Sequence, residues 1–546
     1  MLAMTAALLA RLSTSSPLRH RRFRLFYFGS IGTALGYTMQ ATIAAWLMAT
    51  LTPSAFMVAL VQTASTTPSL LFGLAAGALA DIVNRRKILL ISQGLLLAAT
   101  LALGTAAVAG VVGPGTLLAL TFLIGVGFSF YLPAQQAMLN DLVPHAELSG
   151  AVALSAVAFN VARAIGPALA GAITAWLGSG NALLLSSALF VGMIFAVRGW
   201  QSTAAAIPGI PETLLAGILS GLRYARHSSP LTAVIIRNAS FSVCASALWA
   251  LLPLVARDQF HMDAGGFGLL FGVFGTGAVI GAVMLPRHLR RISLNTLVNS
   301  AMLAWSVATL LIASSTILPL AILGIVVAGT AWVSVLASLS AGTQSSAPAW
   351  VRARALAMNL VAMQASLAVG SLIWGSLASA VGIRITIGVS AGAMLVLLIL
   401  TRRVRVALGQ EADMITGVQL PELAAMTEPL PDDGPVLIQV EYKIAPENRA
   451  AFLRDIYSIE PIRRRNGASA WRVFHDVADN ERFLERFIIG SWAEYIRLRS
   501  RVTMTDQELR QRVIELQRPE VPIRVSRLIA VPPPHTHHGH RRESGT

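Results

Sequence analysis

Acidic side chains are nearly missing from the first four hundred residues. The 546-residue chain holds 26 Asp and Glu, yet only Asp81, Asp141, Glu147, Glu212, Asp258 and Asp263 precede Arg402, while 16 lie from Asp432 onward. Charged residues of either sign make up 12% of the chain, against ~25% in an ordinary soluble protein. With 55% hydrophobic residues, such a chain is not one water-soluble globule. It reads as a membrane-embedded part of about four hundred residues followed by a polar domain. The lone cysteine, Cys244, lies in an apolar stretch; it excludes an intrachain disulfide and any Cys-built metal site. No Gly-x-x-x-x-Gly-Lys-Ser/Thr loop occurs, which excludes ATP hydrolysis by that route. No catalytic set, cofactor motif or metal-ligand cluster stands out.

Positive charge is abundant, at +16 net. In a soluble protein this would point to nucleic acid. Here the Arg clusters fall in short turns between apolar runs, as cytoplasmic turns facing anionic lipid do, so nucleic acid is not expected. At ~20 apolar residues per crossing, twelve helices are read near 26–50, 55–80, 88–110, 115–138, 150–177, 181–200, 231–256, 264–285, 292–314, 316–342, 354–381 and 384–402. Basic turns then alternate with nearly uncharged ones, Arg257, Asp258, Asp263 and Arg384 being the exceptions. This asymmetry predicts a multi-pass protein of the cell inner membrane with both termini cytoplasmic. The apolar run Met1–Ala10 lacks a basic leader and is expected to stay uncleaved. The divisions expected are a segment 1–25, a six-helix bundle 26–200, a cytoplasmic linker 201–230 with an amphipathic helix near 212–226, a second bundle 231–402, a linker 403–435, an α+β domain 436–532 and a His-rich tail 533–546.

Two stretches organise the membrane part. Gly73-Leu-Ala-Ala-Gly77-Ala-Leu-Ala-Asp81 runs into Arg85-Arg86-Lys87, and Gly277-Ala-Val-Ile-Gly281 runs toward Arg290-Arg291. They are 204 positions apart, and the same offset relates Gly125 to Gly329, Pro144 to Pro348, Gly166 to Gly370, Gly171 to Gly375 and Gly178 to Gly382. A constant offset across Gly, Pro and basic turns indicates two copies of a six-helix unit, the arrangement in which two bundles rock about a central site.

These residues resemble the major facilitator superfamily. Gly77 through Asp81 with Arg85, Arg86 and Lys87 is similar to its loop signature between helices 2 and 3. Arg163-Ala-Ile-Gly166-Pro167-Ala-Leu-Ala-Gly171 resembles the antiporter motif of its exporters. Pro133-Ala-Gln135-Gln136 and Asp141-Leu-Val-Pro144 add a likeness to the enterobactin-exporter branch. The resemblance covers about residues 20–405. It implies an all-α membrane fold of two pseudo-repeated bundles and export of a small molecule, a siderophore or a drug-like compound, by alternating access. Import of a metabolite, or sensing or catalysis through the C-terminal domain, are the other readings. One departure is plain: residues 115–138 contain no Arg to join Asp81 in the family's charge relay.

In this frame Gly73, Gly77, Asp81, Arg85, Arg86 and Lys87 are candidate gating residues, with Asp81 pairing with a cation or helix N-terminus in one state only. Arg163 lies about thirteen residues into helix 5, where a charge costs several kcal/mol unless it faces water or a partner; Asn160 shares its face. Gly166 and Pro167 loosen that helix. Gln40, Gln62, Arg237 and Gln364 are candidate pathway groups, and Trp46, Trp249, Trp305 and Trp374 candidate stacking or packing groups. With Arg163 and no carboxylate in a helix core, an anionic or neutral substrate is expected, and Asp81 is the group nearest to serving a coupling proton.

Past residue 435 the pattern changes. Val436-Leu-Ile-Gln-Val-Glu-Tyr-Lys-Ile444 alternates with period two, as a half-buried strand does. Pro446 opens a helix, strands follow near 469–476 and 483–491, then a helical stretch 492–517 and a strand near 521–530. That is a β-α-β-β-α-β, ferredoxin-like unit. With Trp471 and Trp492 it resembles the small α/β-barrel domains related to antibiotic-biosynthesis monooxygenases, which implies pairing through the sheet to form a dimer. His475 with Asp476 reads as a strand-end pair, and His535, His537, His538 and His540 as a terminal tail.

Overall fold

The computed structural model describes residues 17–199, 222–408, 429–500 and 502–531. The His-rich tail, the larger part of the expected 212–226 helix and the centre of the 403–435 linker lie outside these residues. The chain divides into two units. One comprises the described parts of 1–214, 233–342 and 356–407; the other gathers those of 215–232, 343–355 and 408–546.

The first unit is helical throughout. Its helices are α1 (Arg21–Leu51), α2 (Ala55–Ile82), α3 (Arg85–Val108), α4 (Pro114–Leu142), α5 (Leu148–Ala188), α6 (Val191–Arg198), α7 (Ser229–Leu254), α8 (Ala264–Leu289), α9 (Leu294–Ser314), α10 (Leu318–Ser345), α11 (Ala349–Val381) and α12 (Ile383–Leu400). Among the described residues ten spans are long and apolar enough to cross a membrane. One of them, Leu148–Arg198, is 51 residues long, over twice the ~20 of a single crossing. Its backbone breaks at Gly178, where φ is 79° and ψ 160°, a conformation that only glycine adopts without strain. Helix α1 has 31 residues but falls outside the ten; Gly, Ser, Thr and Gln40 dilute its apolar run.

Local chemistry sets the helix starts. The side chains of Ser54, Asn84, Asp263 and Ser293 accept from the backbone N–H of Met57, Arg86, Gly266 and Thr296, capping α2, α3, α8 and α9. Asp263, an exception among the uncharged turns, is thus a helix cap, and Asp258 pairs with Arg257 beside it.

Residues matched by the 204-position offset make matching contacts. A Cβ on Gly125 would meet Pro68 and Ser65 of α2, and one on Gly329 would meet Phe274 and Ala278 of α8. Gly166 lies against Thr38 of α1, as Gly370 lies against Val243 and Ser246 of α7. Gly178 and Gly382 both have positive φ, 79° and 89°. The signature glycines break this symmetry. Gly277 and Gly281 press on Val326 and Thr330 of α10, whereas a Cβ on Gly73 would meet only Val361, at 3.8 Å, and one on Gly77 nothing within 4 Å.

The second unit carries a four-stranded antiparallel sheet. Its strands are β1 (Val436–Lys443), β2 (Ser469–His475), β3 (Arg482–Ile489) and β4 (Arg524–Ile529), in the order β2-β3-β1-β4. Helix α13 (Arg449–Arg465) links β1 to β2, and α14 (Trp492–Ser500) with α15 (Met504–Glu515) links β3 to β4. This is the connectivity of a split β-α-β unit. Val436, Ile438, Val440 and Tyr442 point inward in strict alternation and pack with Phe452, Ile456, Phe483 and Phe487.

A carboxylate lies in that core. Glu485 is wholly buried and accepts from Arg463 at 2.9 and 3.2 Å, Trp471 Nε1 at 2.9 Å and Tyr442 Oη at 3.1 Å. Burial alone would raise its pKa; the Arg463 charge and these bonds together hold it below the ordinary carboxylate range. Its folded pKa lies below its unfolded value, so the stabilisation is complete at neutral pH and fades as pH falls below ~4.3. Arg463→Leu strands the charge and should destabilise the domain by ~3–5 kcal/mol at neutral pH, read as lost hydrogen-exchange protection in β3. The deficit should shrink on acidification; a pH-independent deficit would contradict this account.

Candidate functional site

The basic turn between α2 and α3 is tied to its own half of the chain. Arg85 Nη1 donates to both carboxylate oxygens of Asp141 at the end of α4, at 3.0 and 2.9 Å. Arg86 donates to the Arg198 carbonyl at the end of α6. Nearby in sequence to Asp141, Glu147 takes Arg19 and His20. Helix α4 thus supplies no Arg to the signature loop but ends in an acid that binds its Arg. Sequence reasoning counted Asp141 among the few acids without assigning it this partner. The side chain of Asp81 lies outside the described residues, and Lys87 is exposed.

Helix α5 brings Arg163 toward an aromatic group drawn from three helices. Tyr37 of α1 stacks on Phe128 of α4 with centroids 3.7 Å apart and planes 8° apart. Phe159, one turn before Arg163, stacks on Phe128 at 6.4 Å. Arg163 is half-buried, within electrostatic range of Tyr37, and makes no hydrogen bond or ion pair among the described residues. A guanidinium in the same region as aromatic side chains can hold an anionic or aromatic ligand. Asn160 is exposed and donates to Ala156 in its own helix.

In the second bundle Leu248, Trp249, Leu252, Phe271, Phe274 and Ile325 line a small apolar cavity of about 10 Å³. The Trp249 Nε1–H is buried there and has no acceptor among the described residues. Trp305 packs on Phe241 and Trp332, and Trp374 donates to the Val243 carbonyl at 2.6 Å. Arg237 is fully buried and joins α7 to the end of α12, donating to Thr401 Oγ1 at 2.8 Å and the Val404 carbonyl at 3.1 Å. Gln40 is buried with its Nε2 unpaired, while Gln62 and Gln364 are half-buried.

The two bundles meet at the uncharged turns. A Cβ on Gly171 would lie 2.5 Å from Gly268 Cα, and one on Gly275 would lie 2.9 Å from Ala164 Cα, so α5 and α8 touch backbone to backbone. Trp46 stacks on Phe267 at 5.5 Å. Across the pseudo-repeat, Phe56 N donates to Ser379 Oγ at 2.9 Å and Thr63 Oγ1 to the Ala368 carbonyl at 3.2 Å, joining α2 to α11.

Two related bundles that touch through α5 with α8 and α2 with α11 are the build of an alternating-access transporter. The model of the transmembrane secretion effector family matches residues 12–534. The chain belongs to this family of major facilitator transporters. It is a transporter and not an enzyme. The match continues past residue 405, where the resemblance in the sequence stops, and takes in the α+β domain. Multidrug efflux pump Tap of Mycolicibacterium fortuitum is 25% identical over 374 residues, 66% of this chain and 90% of that protein. Macrolide efflux protein A of Streptococcus pyogenes is 22% identical over 236 residues, 43% of this chain and 58% of that protein. Among solved structures, a variant of the nucleoside transporter NupG superposes with TM-score 0.61 at 13% identity, covering 70% of this chain and 99% of that one. An inward-facing, unoccupied bacterial homologue of the lysosomal transporter Spinster gives 0.58 at 13% identity, covering 72% and 98%. These structural likenesses concern the fold.

Proposed function

We propose that this transporter exports a small amphipathic molecule, anionic or neutral, across the cell inner membrane by alternating access. The observation that carries the reading is Arg163, unpaired among the described residues and within electrostatic range of Tyr37, which stacks on Phe128. The efflux proteins among the relatives support the outward direction. Drug-like compounds and siderophores of the enterobactin type fit this description. Counting α1 and dividing Leu148–Arg198 at Gly178 gives twelve crossings, with basic turns and both termini in the cytoplasm. On this orientation the contacts at the uncharged turns support a state sealed toward the outside. Asp81 gates the basic side and is the proton-coupled group. The α+β domain regulates transport and pairs with a second copy through its sheet.

Efflux of dyes, antibiotics and a catecholate siderophore from expressing cells tests this. Wild-type efflux should stop with a protonophore and fall at least tenfold in Asp81→Asn. Efflux that survives both treatments would remove Asp81 and the proton from the mechanism, and inward accumulation of the panel would reverse the direction.

A further inference from the structure

An arginine in the segment leading into each bundle pairs with an acid, and the two acids come from different parts of the chain. In the first bundle Arg19, two residues before α1, pairs with Glu147, which also takes His20 Nε2 at 3.1 Å. Glu147 lies in the turn between α4 and α5, so this turn fastens the entry of the first helix. The segment before α7 carries a similar pattern: Leu222-Arg223 stands 204 positions after Leu18-Arg19, and Arg226 stands 204 after Arg22. Here the corresponding turn, between α10 and α11, offers no acid. Residues 343–355 contain neither Asp nor Glu, and Val351 occupies the position 204 after Glu147.

The acid comes instead from the α+β domain. Arg223 Nη1 donates to Glu494 Oε1 of α14 at 2.8 Å. Two glycines leave room for that carboxylate. A Cβ on Gly490 would lie 2.9 Å from Glu494 Oε2, and one on Gly467 would lie 2.7 Å from Glu494 Oε1 and 3.1 Å from Arg223 Nη1. Gly467 has a φ of 115°, which glycine alone adopts without strain. The next residue, Tyr224, is 2% exposed. The Arg465 guanidinium of α13 lies 5.4 Å over its ring, and its Oη donates at 3.3 Å to the carbonyl of Ser346, directly after α10. In the first turn of α7, Thr232 Oγ1 donates to the Ala225 carbonyl at 2.6 Å.

We infer that Glu494 stands in for the acid that the α10–α11 turn lacks, so that linker, turn and α+β domain form one joint between the entry of α7 and the exit of α10. A half-exposed ion pair contributes little by itself. In this joint a buried tyrosine ring under a guanidinium and a hydrogen bond from the same tyrosine act with it. The inference deepens the regulatory reading of the domain and rests on that reading only for the effect on transport.

Hydrogen exchange of the full-length protein in lipid nanodiscs tests this. Glu494→Gln should speed exchange at residues 222–228 and 345–352 by about threefold and leave residues 18–24 unchanged, and Glu147→Gln should do the reverse. Arg223→Gln should match Glu494→Gln, and the double variant should add nothing to either, because both act through one pair. Gly467→Ala, which keeps both charges and displaces them, should loosen the same two segments. Wild-type exchange at 222–228 in folded Glu494→Gln and Gly467→Ala would overturn the joint, as would additive effects of the two glutamines or loosening confined to α14. Efflux of a dye or antibiotic that the wild type exports separates the two readings. Loosened segments with undiminished efflux would keep the joint and remove the regulatory role, whereas reduced efflux with unchanged exchange would overturn the joint.

Discussion

Gly171→Leu is expected to lower efflux at least tenfold while membrane abundance stays within twofold of wild type. A Cβ at this position would stand 2.5 Å from Gly268 Cα and 2.6 Å from the Ala264 carbonyl oxygen. Both are backbone atoms and cannot rotate aside. Overpacking of this kind costs ~1–3 kcal/mol, and the cost falls only on the state in which α5 and α8 touch. At 1.4 kcal/mol per tenfold, the balance between states should move by about 5- to 150-fold. In a Cys244→Ser background, a cysteine replacing Trp46, which now stacks on Phe267, should then react faster with an impermeant maleimide. Gly375→Leu should act in the same direction through α2, because Gly375 meets Ala59 and Phe56. Normal efflux with both leucines in place would mean that the bundles need not close at these glycines.

Arg163→Gln should reduce export of an anionic substrate at least tenfold and of a neutral one less than threefold, with Arg163→Lys partly restoring the former. The reason is electrostatic. The guanidinium has no ion-pair partner among the described residues, and a charge within a crossing costs several kcal/mol, a cost that the proposed anionic substrate would offset. The same argument predicts that Arg163→Gln leaves the melting temperature unchanged or raises it, whereas a structural arginine would lower it. An organic cation exported at undiminished rate by both proteins would sink the proposed substrate class.

Much of the helical frame was legible because one physical rule dominates it. An apolar run long enough to cross a bilayer has to end where charge begins, so α2 (Ala55–Ile82) and α8 (Ala264–Leu289) fall within a few residues of the stretches read from hydropathy. The glycine offset was legible for a similar reason: close helix crossings tolerate no Cβ, so Gly166 and Gly370 mark equivalent contacts. Their partners were not. Gly171 could be singled out, but that it meets Gly268 depends on how two helices cross, which periodicity within either helix does not encode. Likewise Arg85 and Asp141 are 56 positions apart, and Tyr37, Phe128 and Phe159 come from three helices; no local pattern joins them. In the α+β domain the alternation of β1 was plain, whereas Glu485 looked like one more polar residue of β3 rather than the acceptor of four hydrogen bonds.

The unit that holds the sheet is assembled from three stretches far apart in the chain. Arg223 Nη1 donates to Glu494 Oε1 at 2.8 Å across 271 positions of sequence. During synthesis at ~5–20 residues per second, the linker emerges roughly 15 to 50 s before that glutamate does. All the transmembrane segments have been made by then, so the tie between linker and domain forms after them. A chain truncated between the last membrane span and Glu494 carries every span and still lacks this tie.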